Sequence, residues 1–469
     1  MRSAAARQHR DRQPDGGQRR SAAGARQAEA SAGPPNPADG SELIDARLGR
    51  PANDVLEAAI VLEAWGGAPA SEALAGAPEL VRHDVPRQRG HGRTEHRDDR
   101  ERASLLGEAL TLVMSILSVA AWAQPLRATV GAETLTVAVR IALPLAIALQ
   151  WAARSRYLSR REGLSLLAHD GPQAALLLLV AIFLPLALSG AAGRLAALLT
   201  VVWTAGAILT RRGWGVPYGL TLVLTTVALD ERHSPYLPLG ALALLTSALC
   251  VAALRTRRAQ PTTRAGSVRR AVLAALLGGG AGVLMVGDPS LGWGVRGSQP
   301  ALALLPAVAG SFWGGYHLWN LYQALPEGLR GLPLEGAARI GFGDPAMRVF
   351  LGAVARLLAA TLVLSGVVLL AGGWVGEADR PSLFLAFGCV SLLTLMISLL
   401  ESLSLNRAAA LALAVALLCE FGSRELLHWQ MPGGALTLGA AAGILLSAPA
   451  LIALLARSGR VLATTLWIR

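Results

Sequence analysis

Twelve apolar runs fill the chain from residue 103 onward, at 103–123, 133–153, 172–189, 195–210, 215–229, 236–254, 271–287, 300–322, 349–372, 382–400, 408–421 and 434–456. A bilayer core about 30 Å thick is crossed by roughly 20 helical residues rising about 1.5 Å each. Backbone in lipid must satisfy its own hydrogen bonds, which leaves helices and closed barrels. These runs are continuous rather than alternating, so the expected fold is all-α, a polytopic transmembrane helical bundle of about twelve spans. Composition agrees, with 53% apolar and 16% charged residues, where soluble domains carry about 45–50% and 25%.

Orientation follows from arginine. All 43 basic residues are arginine, there being no lysine, and the formal net charge is +12. They sit mostly in the short connections rather than on a face with groove-reading elements, so nucleic acid is not an expected partner. Connections after even-numbered runs, with the tail, hold 19 of them, from Arg154 to Arg469. Those after odd-numbered runs hold six: Arg127, Arg194, Arg232, Arg296, Arg380 and Arg424. Basic loops stay in the cytoplasm, which places both termini there and the chain in the cytoplasmic membrane. Tryptophans at run ends, Trp122, Trp151 and Trp214 among them, fit an interfacial belt, with Trp203 and Trp313 as exceptions.

Residues 1–40, rich in Arg, Gln, Ala, Gly and Pro, lack the apolar content to fold and read as a disordered tail. No apolar stretch follows that basic start, so a cleaved leader is not expected. Residues 41–102 change character. Asp54 and Glu57 mark a helix start, Val55, Leu56, Ala59, Ile60 and Leu62 form its apolar stripe, and Gly66-Gly67 ends it. The region reads as a small cytoplasmic helical pair followed by a charged linker at 83–102. The longest basic connection, 255–270, divides the membrane part into two groups of six, 103–254 and 271–469, as in transporters whose halves rock about a cavity.

Ionisable groups within apolar runs cost a few kcal/mol each unless they face a bundle interior, and so mark functional candidates. Arg140 and Arg356 are the arginines of this kind. Two guanidinium groups in one cavity suit a phosphate or diphosphate, and Arg140 pairing with Glu108 is the structural alternative. The stretch 310–323 supplies Trp313, Tyr316, His317 and Asn320 on one helix face, the aromatic and hydrogen-bonding wall a sugar needs; interfacial anchoring is its plainer account. Segment 326–343 reads as an amphipathic helix on the inner leaflet. Pro144, Pro217, Pro449 and Gly278-Gly279-Gly280 are helix breakers, and Gly215 with Pro217 makes the fifth run a candidate discontinuous element. Two outer connections, Asp230-Glu231-Arg232-His233 and Glu420, Arg424, Glu425 and His428, hold carboxylates beside histidine and offer acid–base chemistry or proton coupling.

Cys250, Cys389 and Cys419 have no ligand spacing, and no Walker loop, HExxH, GxSxG or paired CxxC occurs, so no metal and no cofactor is expected. A twelve-span plan with both ends inside, intramembrane arginines and the aromatic 310–323 segment resembles the flippases that export lipid-linked oligosaccharides and polysaccharides. The major facilitator plan is similar, but its signature loop after the second span reads Arg154-Ser-Arg-Tyr-Leu-Ser-Arg-Arg161 here. The resemblance implies a transporter rather than an enzyme, exporting a lipid-linked or anionic glycan precursor. Arg140 and Arg356 would hold its phosphate, and the 310–323 face its sugar. Envelope-assembly proteins join the lipid bilayer and that substrate as expected partners. A proton-coupled small-molecule exporter and a membrane-embedded glycan polymerase or transferase are the alternatives.

Overall fold

Long apolar runs broken by glycine, proline and arginine leave the backbone one way to close its hydrogen bonds, and it takes that way throughout. The computed structural model describes residues 37–48, 51–52, 55–81, 95–158, 163–211, 213–229, 233–255, 268–288, 300–311, 313–314, 343–375, 381–402, 405–427 and 431–455. Among them the protein is helical and has no β-strand; an isolated parallel bridge joins Ala52 and Val81.

The chain divides into two units, the first comprising residues 1–86 with 334–339. Its described helices are α1 (Pro37–Leu48), α2 (Val55–Ala64) and α3 (Ala70–Gly76), with a 3₁₀ turn at Ala77–Leu80. Leu56 through Leu62 are all buried, so α2 is the core of the unit, surrounded rather than laid on one face. Gly67 at φ +71° ends this stretch, as the Gly66-Gly67 pair implies. The expected helical pair is three helices, the first starting at Pro37, inside the segment read as a tail.

The second unit holds the apolar helices. These are α4 (Glu95–Val130), α5 (Ala132–Ala153, prolonged by a π-helical turn at Arg154–Leu158), and α6, where Gly163–Leu178 and Leu184–Leu188 join through a π-helical turn at Leu179–Phe183. There follow α7 (Ala191–Arg211), α8 (Gly215–Ala228), α9 (Tyr236–Arg255), α10 (Val268–Gly287) and α11 (Pro300–Ser311). The last four are α12 (Gly343–Val375), α13 (Pro381–Ser402), α14 (Asn406–Leu427) and α15 (Gly434–Leu455). Each of the twelve apolar runs overlaps a described helix. Among the described residues eight helices are long and apolar enough to cross a membrane, within α4, α5, α7, α9, α10, α12, α13 and α15. The apolar parts of α6, α8 and α11 are shorter.

Several boundaries differ from the sequence reading for local reasons. The charged linker is helical from Glu95, where Arg97 and Glu101, and Asp98 and Arg102, stand four apart and favour a helix. At its other end α4 runs through Pro125 to Val130, leaving Gly131 at φ +86° as the whole connection to α5. Trp122 is therefore inside the helix rather than at an interface. It is 1% exposed, and its Nε1 donates to Thr226 Oγ1 of α8 at 3.0 Å. The expected break at Gly215 and Pro217 is absent, since the proline falls in the first turn of α8, where its missing N–H costs nothing.

Packing runs mainly through glycines spaced four apart. Gly215 and Gly219 of α8 lie against Thr111 and Met114 of α4, and Gly278 and Gly282 of α10 against α5. Gly310 and Gly314 lie against Leu357 of α12, and Gly439 and Gly443 of α15 against Ala416 of α14. The first group of helices shares one core, in which Leu126, Leu135, Ala138, Ala142, Leu195, Tyr218 and Leu239 are buried together. The opposite face of α5, with Pro144, Ile147, Ala148 and Trp151, receives α10. The triple glycine 278–280 thus does not break α10: it thins it. Side chains at Gly278 and Gly280 would stand 2.8 Å from Trp151 and 2.6 Å from Leu413 of α14.

Gly282→Ala places a Cβ on the Pro144 backbone and is expected to cost about 1–3 kcal/mol as overpacking. Gly240→Ala, with nothing within 4 Å, stabilises by up to about 1 kcal/mol through helix propensity. Thermal unfolding of the two variants in detergent checks the contrast.

Candidate functional site

Both in-span arginines are exposed. Arg140 lies on an exposed face of α5, between Val139 and Ile141, and Arg356 on an exposed face of α12. Their helices pack on different neighbours, α5 on α7 and α10, and α12 on α13 and α15. Arg356 leans back along its own helix, its Nη1 3.7 Å from where a Gly352 side chain would begin. That is the posture of an arginine reaching toward a helix end and the interface beyond it. Neither arginine forms an ion pair among the described residues. The Glu108 side chain, the partner considered for Arg140, lies outside the described residues.

Of the aromatic segment, Gly310 and Gly314 are buried against α12 while Trp313 is 53% exposed, so small and bulky residues divide between two faces there. Tyr316, His317 and Asn320 lie outside the described residues, as does the 326–343 amphipathic segment. Asp230, Glu231, Arg232 and His428 of the outer connections also lie outside. His233 borders a shallow apolar depression of about 370 Å³ with Ser234, Pro235 and Pro238.

A different group of charged residues does come together, where the end of α10 and Gly439 of α15 each reach Glu420 of α14. Glu420 was expected in a solvated connection, but α14 continues to Leu427 and carries it into the packed interior, 1% exposed. Neither carboxylate oxygen has a hydrogen-bond partner among the described residues. Oε1 lies 3.1 Å from where a Gly287 side chain would begin, and Gly439 of α15 approaches so closely that its Cβ would stand 2.9 Å from the Glu420 Cβ. Asp288, directly after α10, is 3% exposed, and its charge acts on Glu420.

Arg424, one turn along α14, is the positive group acting on Glu420, yet its donors go elsewhere. Its Nη1 donates to the Gly287 carbonyl at 3.1 Å, satisfying a backbone acceptor left over at the end of α10. Its Nε and Nη2 donate to Glu425 Oε1 at 3.1 and 2.8 Å, and its guanidinium covers the Phe421 ring at 5.2 Å. Arg424 therefore ties α14 to α10 while leaving the Glu420 carboxyl unbonded. Glycines at 287 and 439 make room for this arrangement. The signal in the sequence was Glu420 standing inside the apolar run 408–421, an acid within the helix rather than in the connection after it. At the opposite ends of α5 and α6, Arg156 pairs with Asp170 at 3.7 Å and donates to the Tyr157 hydroxyl, while Arg154 covers Trp151.

Comparison with known proteins adds no relative: no protein-family model matches the chain, and no curated protein resembles it.

Arg424→Ala removes the tie to Gly287 and is expected to destabilise by about 1–3 kcal/mol. Glu425→Ala, at an exposed side chain, stays within about 0.5 kcal/mol. Thermal unfolding at constant pH separates them, and equal midpoints contradict the role given to Arg424.

Proposed function

We propose that the chain is an integral membrane transporter of the cytoplasmic membrane. It crosses twelve times with both termini inside and exports an anionic lipid-linked glycan precursor. The arginine asymmetry of 19 to six supports the orientation. The helices overlapping every apolar run support the count, with α6, α8, α11 and α14 completing the eight longer apolar ones.

The observation that carries the substrate class is the exposure of Arg140 and Arg356 on outward helix faces within apolar stretches. A guanidinium on such a face, screened from water by hydrocarbon, meets lipid phosphate as its nearest anion and binds it bidentately. In this orientation Arg140 belongs to the outer half of the bilayer and Arg356 to the inner half. An anionic headgroup would then have one arginine to bind in each leaflet. This replaces the single shared cavity with two lipid-side contacts. Trp313, Tyr316, His317 and Asn320 remain the proposed sugar wall.

The buried acid at Glu420 favours a second reading, a proton-coupled small-molecule exporter, because coupled transporters need a carboxyl that exchanges a cation out of contact with bulk water.

The test uses full-length protein in vesicles containing a fluorescent polyprenyl-diphosphate sugar whose outer-leaflet fraction is quenched chemically. Wild type is expected to expose the probe to quencher. Arg140→Ala and Arg356→Ala, both inserted and folded, are expected to lose about tenfold in rate each, the worth of one charge-assisted phosphate contact of about 1.4 kcal/mol. Wild-type rates in both variants reject the assignment.

A further inference from the structure

We propose that Glu420, with Asp288 beside it, is the binding site for a single monovalent cation, a sodium ion or a proton, held where α10, α14 and α15 meet. The inference rests on the packing of these helices and not on the export reading, so either can fail without the other.

The argument is one of charge and hydrogen bonding. A carboxylate taken out of water without hydrogen bonds or a paired charge is costly by several kcal/mol, and burial of this kind is kept only where something occupies the oxygens. Glu420 is 1% exposed and both its oxygens are unbonded among the described residues. The charged groups facing it can be taken helix by helix. From the end of α10 comes Asp288, a second acid at 3% exposure. Its own helix presents Arg424, committed to the Gly287 carbonyl and to Glu425, while Glu425 itself is exposed and paired with that arginine. Helix α15 contributes no ionisable residue, its sequence from Gly434 to Leu455 being wholly uncharged. Glu420 and Asp288 thus lie near one arginine, whose Nε, Nη1 and Nη2 each donate to Glu425 or to the Gly287 carbonyl rather than to Glu420. A single positive charge on the unbonded Glu420 carboxyl answers its burial.

The charge of that ion follows from the ligands. No cluster of three or more His, Cys, Asp or Glu side chains able to hold a metal occurs among the described residues. Divalent ions demand several such oxygens, which leaves a monovalent one. Glycine at 287 lets the end of α10 come up to Glu420 Oε1 with no side chain between them. A sodium ion there would complete its shell with neutral oxygens such as backbone carbonyls or water. A proton needs none of them, passing from hydronium to one Glu420 oxygen and leaving water. Both ions supply one positive charge to the same carboxyl, and the experiment separates them.

Full-length protein in lipid nanodiscs is treated with a hydrophobic carbodiimide, which attacks carboxyl groups only in their protonated form, and the labelled residue is located by mass spectrometry. Glu420 is expected to carry the label, and the Glu420→Gln protein to lack it at that peptide. If the ion is sodium, labelling at fixed pH falls about tenfold when sodium is raised to an order of magnitude above its dissociation constant. If it is a proton, sodium has no effect and labelling falls about tenfold for each unit of pH above the titration midpoint. Absence of label at Glu420, or label insensitive to both sodium and pH, overturns the proposal. Because the reading is taken on the wild-type chain, it stands even if the glutamine variant does not fold.

Discussion

The arrangement depends on how closely two helices can approach when neither gains anything by leaving lipid for its neighbour. Hydrocarbon is as apolar as leucine, so association must come from contact area and close backbones. Four glycine pairs spaced four residues apart meet that requirement, 215 and 219, 278 and 282, 310 and 314, and 439 and 443. The seam of α10 on α5 is the one on which the others rest. Through it the core of the first helices is joined to α14, α15 and α13, since α10 touches α5 on one side and α14 on the other. Three consecutive glycines in α10 serve two neighbours at once, Gly278 facing Trp151 and Gly280 facing Leu413.

That wedge also explains where the charges end up. Carrying α10 between α5 and α14 brings its last residues, Gly287 and Asp288, to Glu420. Closing α15 on α14 through Gly439 then seals the carboxyl from water. Arg140 and Arg356 are exposed on α5 and α12. Glu420 lies in the protein interior.

Much of the architecture was legible because apolar length and arginine spacing are one-dimensional signals. The helix positions follow from them, and the C-cap at Gly67 from the Gly66-Gly67 pair. The errors share a cause: glycine and proline were read as breaks where they are contacts. At 278–280 and at 215–217 the helix continues, because a neighbour supplies what the missing side chain or N–H would have provided. Pro125 likewise did not end α4, which moved Trp122 from an expected interface into the core. Glu420 was grouped with the outer connection although the run 408–421 contains it, and its burial is set by α10 and α15, distant in sequence. The exposure of Arg140 and Arg356 was beyond any local signal, being set by which helices pack on which.

The seam between α5 and α10 can be tested at one atom pair. A Cβ at Gly279 would stand 3.4 Å from that of Ala148, close to the roughly 3.5–4.5 Å between bridged cysteines. With Cys250, Cys389 and Cys419 replaced by alanine, Ala148→Cys and Gly279→Cys are combined in a full-length chain carrying a protease site within 256–267. After oxidation and cleavage the two fragments are expected to stay joined until reductant is added. Fragments that separate without reductant would show that α10 does not lie on α5, and the packing built on that seam would fall with it.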